Sequence, residues 1–125
     1  PKVIAAATSS ELLDKALQAK AIISPTESPI VGTAGLILGL ARFKKIDALC
    51  LLGETRGYLP DPKAAKSVLE ILRAMFSLDV DLTGLDEEIA KAENIVSRLQ
   101  KIEEKRTLQA EEMRKEEDKK VTYIS

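Results

Sequence analysis

Apolar residues come along this chain in short blocks whose spacing changes from one block to the next. Residues 3–8, VIAAAT, are too few for a helix and predict a short buried strand. Thr8 and Glu11 then stand at capping-box spacing, and SELLDKALQAK follows with Leu12, Leu13, Ala16 and Leu17 on one helical face. AIIS, residues 21–24, predicts a second short strand, and Pro25 and Pro29 break the chain after it. Residues 31–45, VGTAGLILGLARFKK, are long and do not alternate, which predicts a buried helix. IDALCLL is apolar on both faces, as a central parallel strand is. After the loop GETRGYLPDP, with Asp61 and Pro62 as an N-cap and N1 pair, KAAKSVLEILRAMF predicts an amphipathic helix bearing Val68, Leu69, Leu72, Met75 and Phe76.

Strand–helix, repeated three times, predicts an α/β fold with a mainly parallel sheet and right-handed crossovers. Three short strands leave open sheet edges, so further strands are expected from an N-terminal half, from a second chain, or from both. From about Leu82 the pattern becomes purely helical. Leu85, Ile89, Ala92, Val96 and Leu99 fall at steps of four and three, a helix-packing seam. Beyond Ile102 the seam thins to Leu108 and Met113 among charges; residues 101–120 hold seven basic and seven acidic side chains, many three or four apart. A helix over 85–120 is ~54 Å long at ~1.5 Å per residue. The expected organisation is an α/β core over 1–80, a helical arm over 81–120 and a short tail over 121–125.

Composition narrows the function. The 125 residues suit one domain, and with only 3% aromatic residues the core must be aliphatic. A net charge of -1 argues against a nucleic-acid or membrane surface as partner. No apolar run is long enough to span a bilayer and no secretory signal is visible. The single Cys50 points to a reducing, cytoplasmic setting, and the absence of His removes the commonest metal ligand and general base. The chain starts at Pro1 without an initiator Met, so it reads as processed or as part of a longer chain.

Candidate chemistry is sparse. The spacing of Gly32, Gly35 and Gly39 matches neither G-x-G-x-x-G nor a P-loop, and close helix–sheet packing explains them better than nucleotide binding. Glu54, Thr55, Arg56, Tyr58 and Asp61 gather on a loop after the central strand, where α/β ligands bind, although Asp61 reads as a helix cap and Gly57 and Pro60 as turn residues. Cys50 lies in an apolar run and reads as a buried, inert thiol. No cofactor, metal site or catalytic residue is expected. The tail is the anomaly: Val121, Thr122, Tyr123, Ile124 and Ser125 put apolar and aromatic groups at the tip of a charged arm. Either the tip folds back on the body or is unimportant, or it docks in a partner's pocket.

The stretch GLILGLARFKKIDALCLLGETRGYLPDPKAAKSVLEIL resembles the proteasome-assembly-chaperone family, its archaeal members in particular, over roughly residues 1–78. The resemblance implies an α/β/α sandwich, of which this chain is similar to the C-terminal half plus a helical extension. It also implies a protein that binds the α-subunits of the proteasome core particle, assisting assembly or activating without ATP. The absence of His, the buried Cys50 and the lack of a phosphate loop point to a non-enzyme, and the open sheet edges and the seam over 85–99 to a homo-oligomer. Proteasome activators dock through a C-terminal hydrophobic–Tyr–any-residue motif. Thr122-Tyr123-Ile124 echoes it, with the Tyr third from the end where the motif has it second. A further resemblance, to ATP-dependent carboxylate–amine ligases, implies a nucleotide-binding protein, for which the chain shows no nucleotide loop or carboxylate cluster.

Overall fold

The computed structural model describes the backbone of residues 1–124 and the side chains of residues 1–120. Two compact units are present, Pro1–Ile89 and Ala90–Ser125. The order of elements is β1 (Val3–Ala7), α1 (Ser10–Gln18), α2 (Gly32–Phe43), β2 (Leu49–Gly53), α3 (Pro62–Phe76) and α4 (Thr83–Ile124).

The expected mainly parallel α/β/α sandwich is not what forms. The chain is mostly helical, and its named strands make one two-stranded antiparallel sheet, with Val3 opposite Gly53 and Ala7 opposite Leu49. The second expected strand survives only as a parallel bridge between Ile4 and Ile22, closed by Ala5 N–H to Ile22 O (2.8 Å) and Ile22 N–H to Val3 O (2.9 Å). A crossover helix makes neighbouring strands parallel only when it packs back along the sheet. Here α2 has no buried residue, so it does not cover the sheet as a packed crossover helix does. The chain therefore enters β2 at the end where β1 leaves it. Thr8 closes that end: its N–H donates to Ala48 O (2.9 Å), and Ala48 N–H donates to Thr8 Oγ1 (2.8 Å).

Thr8 is thereby engaged across the sheet, and the cap of α1 falls to Ser9, whose Oγ accepts from Leu12 N–H at 3.4 Å. Both α1 and α2 end in a left-handed residue that is a lysine. Lys20 has φ 76°, with Lys20 N–H bonded to Leu17 O and Ala21 N–H to Ala16 O; Lys45 has φ 57°, with Lys45 N–H bonded to Arg42 O and Ile46 N–H to Ala41 O. These are the paired bonds of a Schellman ending, usually built on glycine.

The core lies on one face of the sheet. Val3 and Ala5 meet Ala16 and Ala21 from the α1 region and Ile71 of α3, with Leu13, Leu49, Leu51, Val68 and Met75 packed around them. The inward stripe of α3 is therefore Ala64, Val68, Ile71 and Met75, whereas Leu69 and Phe76 point outward. Gly53 is the glycine that close packing requires: a Cβ there would stand 3.0 Å from Ala64 O and 3.1 Å from Val68 Cγ2 of α3. Among the described residues no helix is long and apolar enough to cross a membrane.

Candidate partner-docking surfaces

Three places stand out in the sequence as possible sites: the glycines of α2, the loop after β2, and the C-terminal tail. The glycines do not shape a phosphate cradle. Gly32 opens α2 with φ 76°, and Gly35 lies so close to Ile30 that any Cβ would run into the Ile30 carbonyl. Gly39 faces open space. Close helix–sheet packing, the sequence explanation for all three, applies instead to Gly53.

The loop is built from local turn chemistry. Gly57, at φ 83°, donates its N–H to Thr55 Oγ1 (3.0 Å), and Asp61 caps α3 by accepting from Ala64 N–H at 3.0 Å, with Pro62 at the first helical position. Glu54 stays at the sheet end, where its N–H donates to Lys2 O (2.8 Å). Arg56 and Tyr58 are exposed. The residues expected to gather here are thus spread along a turn, with no shared focus. Cys50 is half-buried and burial pushes its thiol pKa up, so a reactive thiolate is disfavoured. Among the described residues, no group of three or more Cys, Asp or Glu is placed to hold a metal ion.

At the start of α4, Asp81 accepts from Thr83 N–H (3.0 Å), and this bond holds the Asp81 carboxyl below its usual pKa. Lys66 of α3 pairs with Asp86 at 2.6 Å, and that bond raises the Lys66 amine. Of the seam read from sequence, Leu85, Ile89, Ala92 and Val96 are half-buried and Leu99 is exposed. Ile95, Ile102, Leu108 and Met113 are exposed as well. The tail residues Val121, Thr122, Tyr123, Ile124 and Ser125, expected to bind a partner, lie outside the residues whose side chains are described.

What the sequence reading missed is the outside of α2. Its half-buried positions are Ala34, Gly35, Leu38 and Ala41, while Leu36, Ile37, Leu40 and Phe43 are exposed, Phe43 by 85%. The larger side chains look outward, the reverse of a surface helix on a finished core. The signal lies in the apolarity of the segment on all sides. That pattern reads as burial within the same chain, yet no described residue of this chain supplies it.

The model of the PAC2 family matches residues 1–100. The chain belongs to the PAC2 family. That membership agrees with the resemblance read from the Gly-Leu-Ile-Leu-Gly-Leu and Gly-Glu-Thr-Arg-Gly-Tyr-Leu-Pro-Asp-Pro motifs. The uncharacterized protein MJ1210 of Methanocaldococcus jannaschii is 34% identical over 123 residues, 98% of this chain and 47% of the relative. MJ0106 of the same organism is 35% identical over 85 residues, 68% of this chain and 34% of that relative. Among solved structures, Pyrococcus furiosus PbaB, an archaeal proteasome activator, superposes with a TM-score of 0.69 at 32% identity, over 79% of this chain and 43% of PbaB. Pyrococcus furiosus PbaA, an archaeal homolog of proteasome-assembly chaperone, gives a TM-score of 0.69 at 28% identity, over 90% of this chain and 47% of PbaA. The chain thus spans less than half the length of each of these proteins.

Proposed function

We propose that this PAC2 chain works as a proteasome-binding protein, an assembly chaperone or activator, and catalyses no reaction of its own. The observation that carries this reading is the likeness to PbaB, an archaeal proteasome activator, and to PbaA, an archaeal homolog of proteasome-assembly chaperone, at 32% and 28% identity. The partner is the ring of core-particle α-subunits. The body over residues 1–80 associates with further copies, the arm over 81–120 acts as a spacer, and the tail over 121–125 docks. Tyr123 is the anchor, with Val121, Thr122 and Ile124 flanking it and the Ser125 carboxylate meeting a lysine of the ring. Several weak tails on one oligomer bind a ring more tightly than any one of them does alone.

Core particle retained on the immobilised protein is the test, together with its hydrolysis of small peptides. Deleting residues 121–125 abolishes retention and any stimulation and leaves the melting temperature unchanged. Tyr123→Ala does the same, since an aromatic anchor at a small contact commonly carries about 2 kcal/mol or more. Removing Ser125 alone moves Tyr123 to the second-last place and preserves or strengthens the effect. Binding that survives the five-residue deletion overturns the tail mechanism; absence of binding by the intact protein overturns the reading itself.

A further inference from the structure

The start of α4 meets the body through contacts that lie apart from the core. Val3, Ala5, Ala16, Ala21 and Ile71 form one buried cluster. Leu82, just before α4, is also buried, at 5% exposure, yet it stands outside that cluster. Leu85 and Ile89, one and two turns further on, are only half-buried. The first two turns of α4 pack on no element in the way that α3 packs on both strands and on α1.

The polar contacts of this joint are open to water. Lys66 Nζ of α3 reaches Asp86 Oδ1 at 2.6 Å, and the two side chains are 27% and 59% exposed. Arg73 donates through Nη1 to Val80 O at 3.4 Å, on an exposed stretch of chain. Exposed ion pairs contribute little each and are screened by salt. Two backbone features loosen the joint further. Ser77, which ends α3, is left-handed at φ 50° although it is not glycine. Gly84 stands in the first turn of α4, where glycine lowers helix stability. Nothing lies within 4 Å of the place its Cβ would take, so no close packing calls for a glycine there. A segment held mainly by one buried side chain and by exposed polar contacts opens at a lower free energy than the core beside it.

We propose that residues 77–89 are a detachable joint, which lets go of α3 as a unit while β1, β2, α1 and α3 stay folded. Leu82 is its anchor, and the Lys66–Asp86 pair is its clasp. Closed, the joint runs as helix from Thr83 onward. Open, residues 77–89 become a tether of up to ~43 Å at ~3.3 Å per residue. Opening gives the arm slack and leaves the core intact. The segment lies within the first compact unit, and the joint does not depend on what the tail binds.

The test is native-state amide exchange of the intact 125-residue chain, followed by mass spectrometry in low urea. Segment 77–89 exchanges about tenfold or more faster than β1 and α3. Leu82→Ala speeds exchange over 77–89 by a further tenfold or so and leaves β1 and α3 at their original rates. Lys66→Met keeps the stem and removes the charge. It speeds exchange over 77–89 by about two- to fivefold at low salt, and the difference from the unmodified chain vanishes in concentrated sodium chloride. Ile71→Ala, in the core, speeds exchange in β1, α3 and 77–89 together. Three results overturn the proposal: equal exchange of 77–89 and the core in the unmodified chain, unfolding of the whole chain by Leu82→Ala, or exchange over 77–89 that neither Leu82→Ala nor Lys66→Met changes.

Discussion

Asp61 and Gly35 show how much a single residue decides here. Asp61 holds the first turn of α3 through Ala64 N–H, and α3 contributes Val68, Ile71 and Met75 to the core. Asp61→Ala is expected to cost about 1 kcal/mol in urea unfolding, the usual worth of a cap. Gly35 and Gly39 sit one turn apart in α2 and should respond with opposite signs. A methyl at Gly35 meets the Ile30 carbonyl, which is backbone and cannot swing aside. Gly35→Ala should therefore destabilise by about 1–3 kcal/mol, as overpacking does. A methyl at Gly39 meets open space, and Gly39→Ala should stabilise the isolated chain by up to about 1 kcal/mol through helix propensity. Equal effects at the two positions, in parallel urea titrations, would remove the geometric distinction between them.

At the level of elements, the endings of α1 and α2 are costly. Lys20 and Lys45 occupy left-handed positions that cost an L-residue about 1–2 kcal/mol. Lys20→Gly is expected to raise stability by about 1 kcal/mol, because it relieves the φ of 76° and keeps both Schellman bonds. A lower melting temperature for that variant would count against the ending. The start of α4 adds a pH dependence. The Asp81 carboxyl is held low by Thr83 N–H. Its contribution is present above the ordinary carboxyl pKa and is lost as pH falls through the lowered folded value. Asp81→Asn keeps an acceptor and removes the charge. Its melting temperature should fall below that of the unmodified protein at neutral pH and converge with it in strong acid. Lys66 has the opposite sign. Its amine is raised by Asp86, so that contribution holds below the ordinary amine pKa and disappears as pH rises through the raised value.

For the molecule as a whole, the exposed apolar face of α2 sets the behaviour expected in solution. The isolated chain should bind the dye ANS, and Leu36→Lys with Phe43→Lys should reduce that binding without loss of helix signal. Burial of Cys50 gives an independent measure of whether the body is closed. Its thiol, raised by desolvation, should react with Ellman's reagent more slowly in the folded chain than in urea. Equal rates would mean that the sheet is open around β2 to a greater depth than half-burial of Cys50 implies.

Local order is legible without the fold. β1, the amphipathic stripe of α1, the span of α3 though not its inward stripe, the Asp61–Pro62 helix start, the turn at Gly57 and the long helix of α4 all follow from periodicity and capping chemistry that act within a few residues. The family is legible too, in the GETRGYLPDP loop and the segment before it. Strand direction is not. It depends on whether α2 packs back along the sheet, and nothing within the segment from Val31 to Lys45 specifies that. The Lys20 and Lys45 endings are hidden because lysine stands where glycine would announce them. The cap moves from Thr8 to Ser9 because the Thr8 hydroxyl is used across the sheet at Ala48, a partner 40 residues away. Apolarity on every side of α2 marks it as a segment that avoids water, but only the tertiary structure shows that no covering surface lies among this chain's described residues. Sequence pattern records that a side chain avoids water; which surface keeps the water out depends on contacts between residues far apart along the chain.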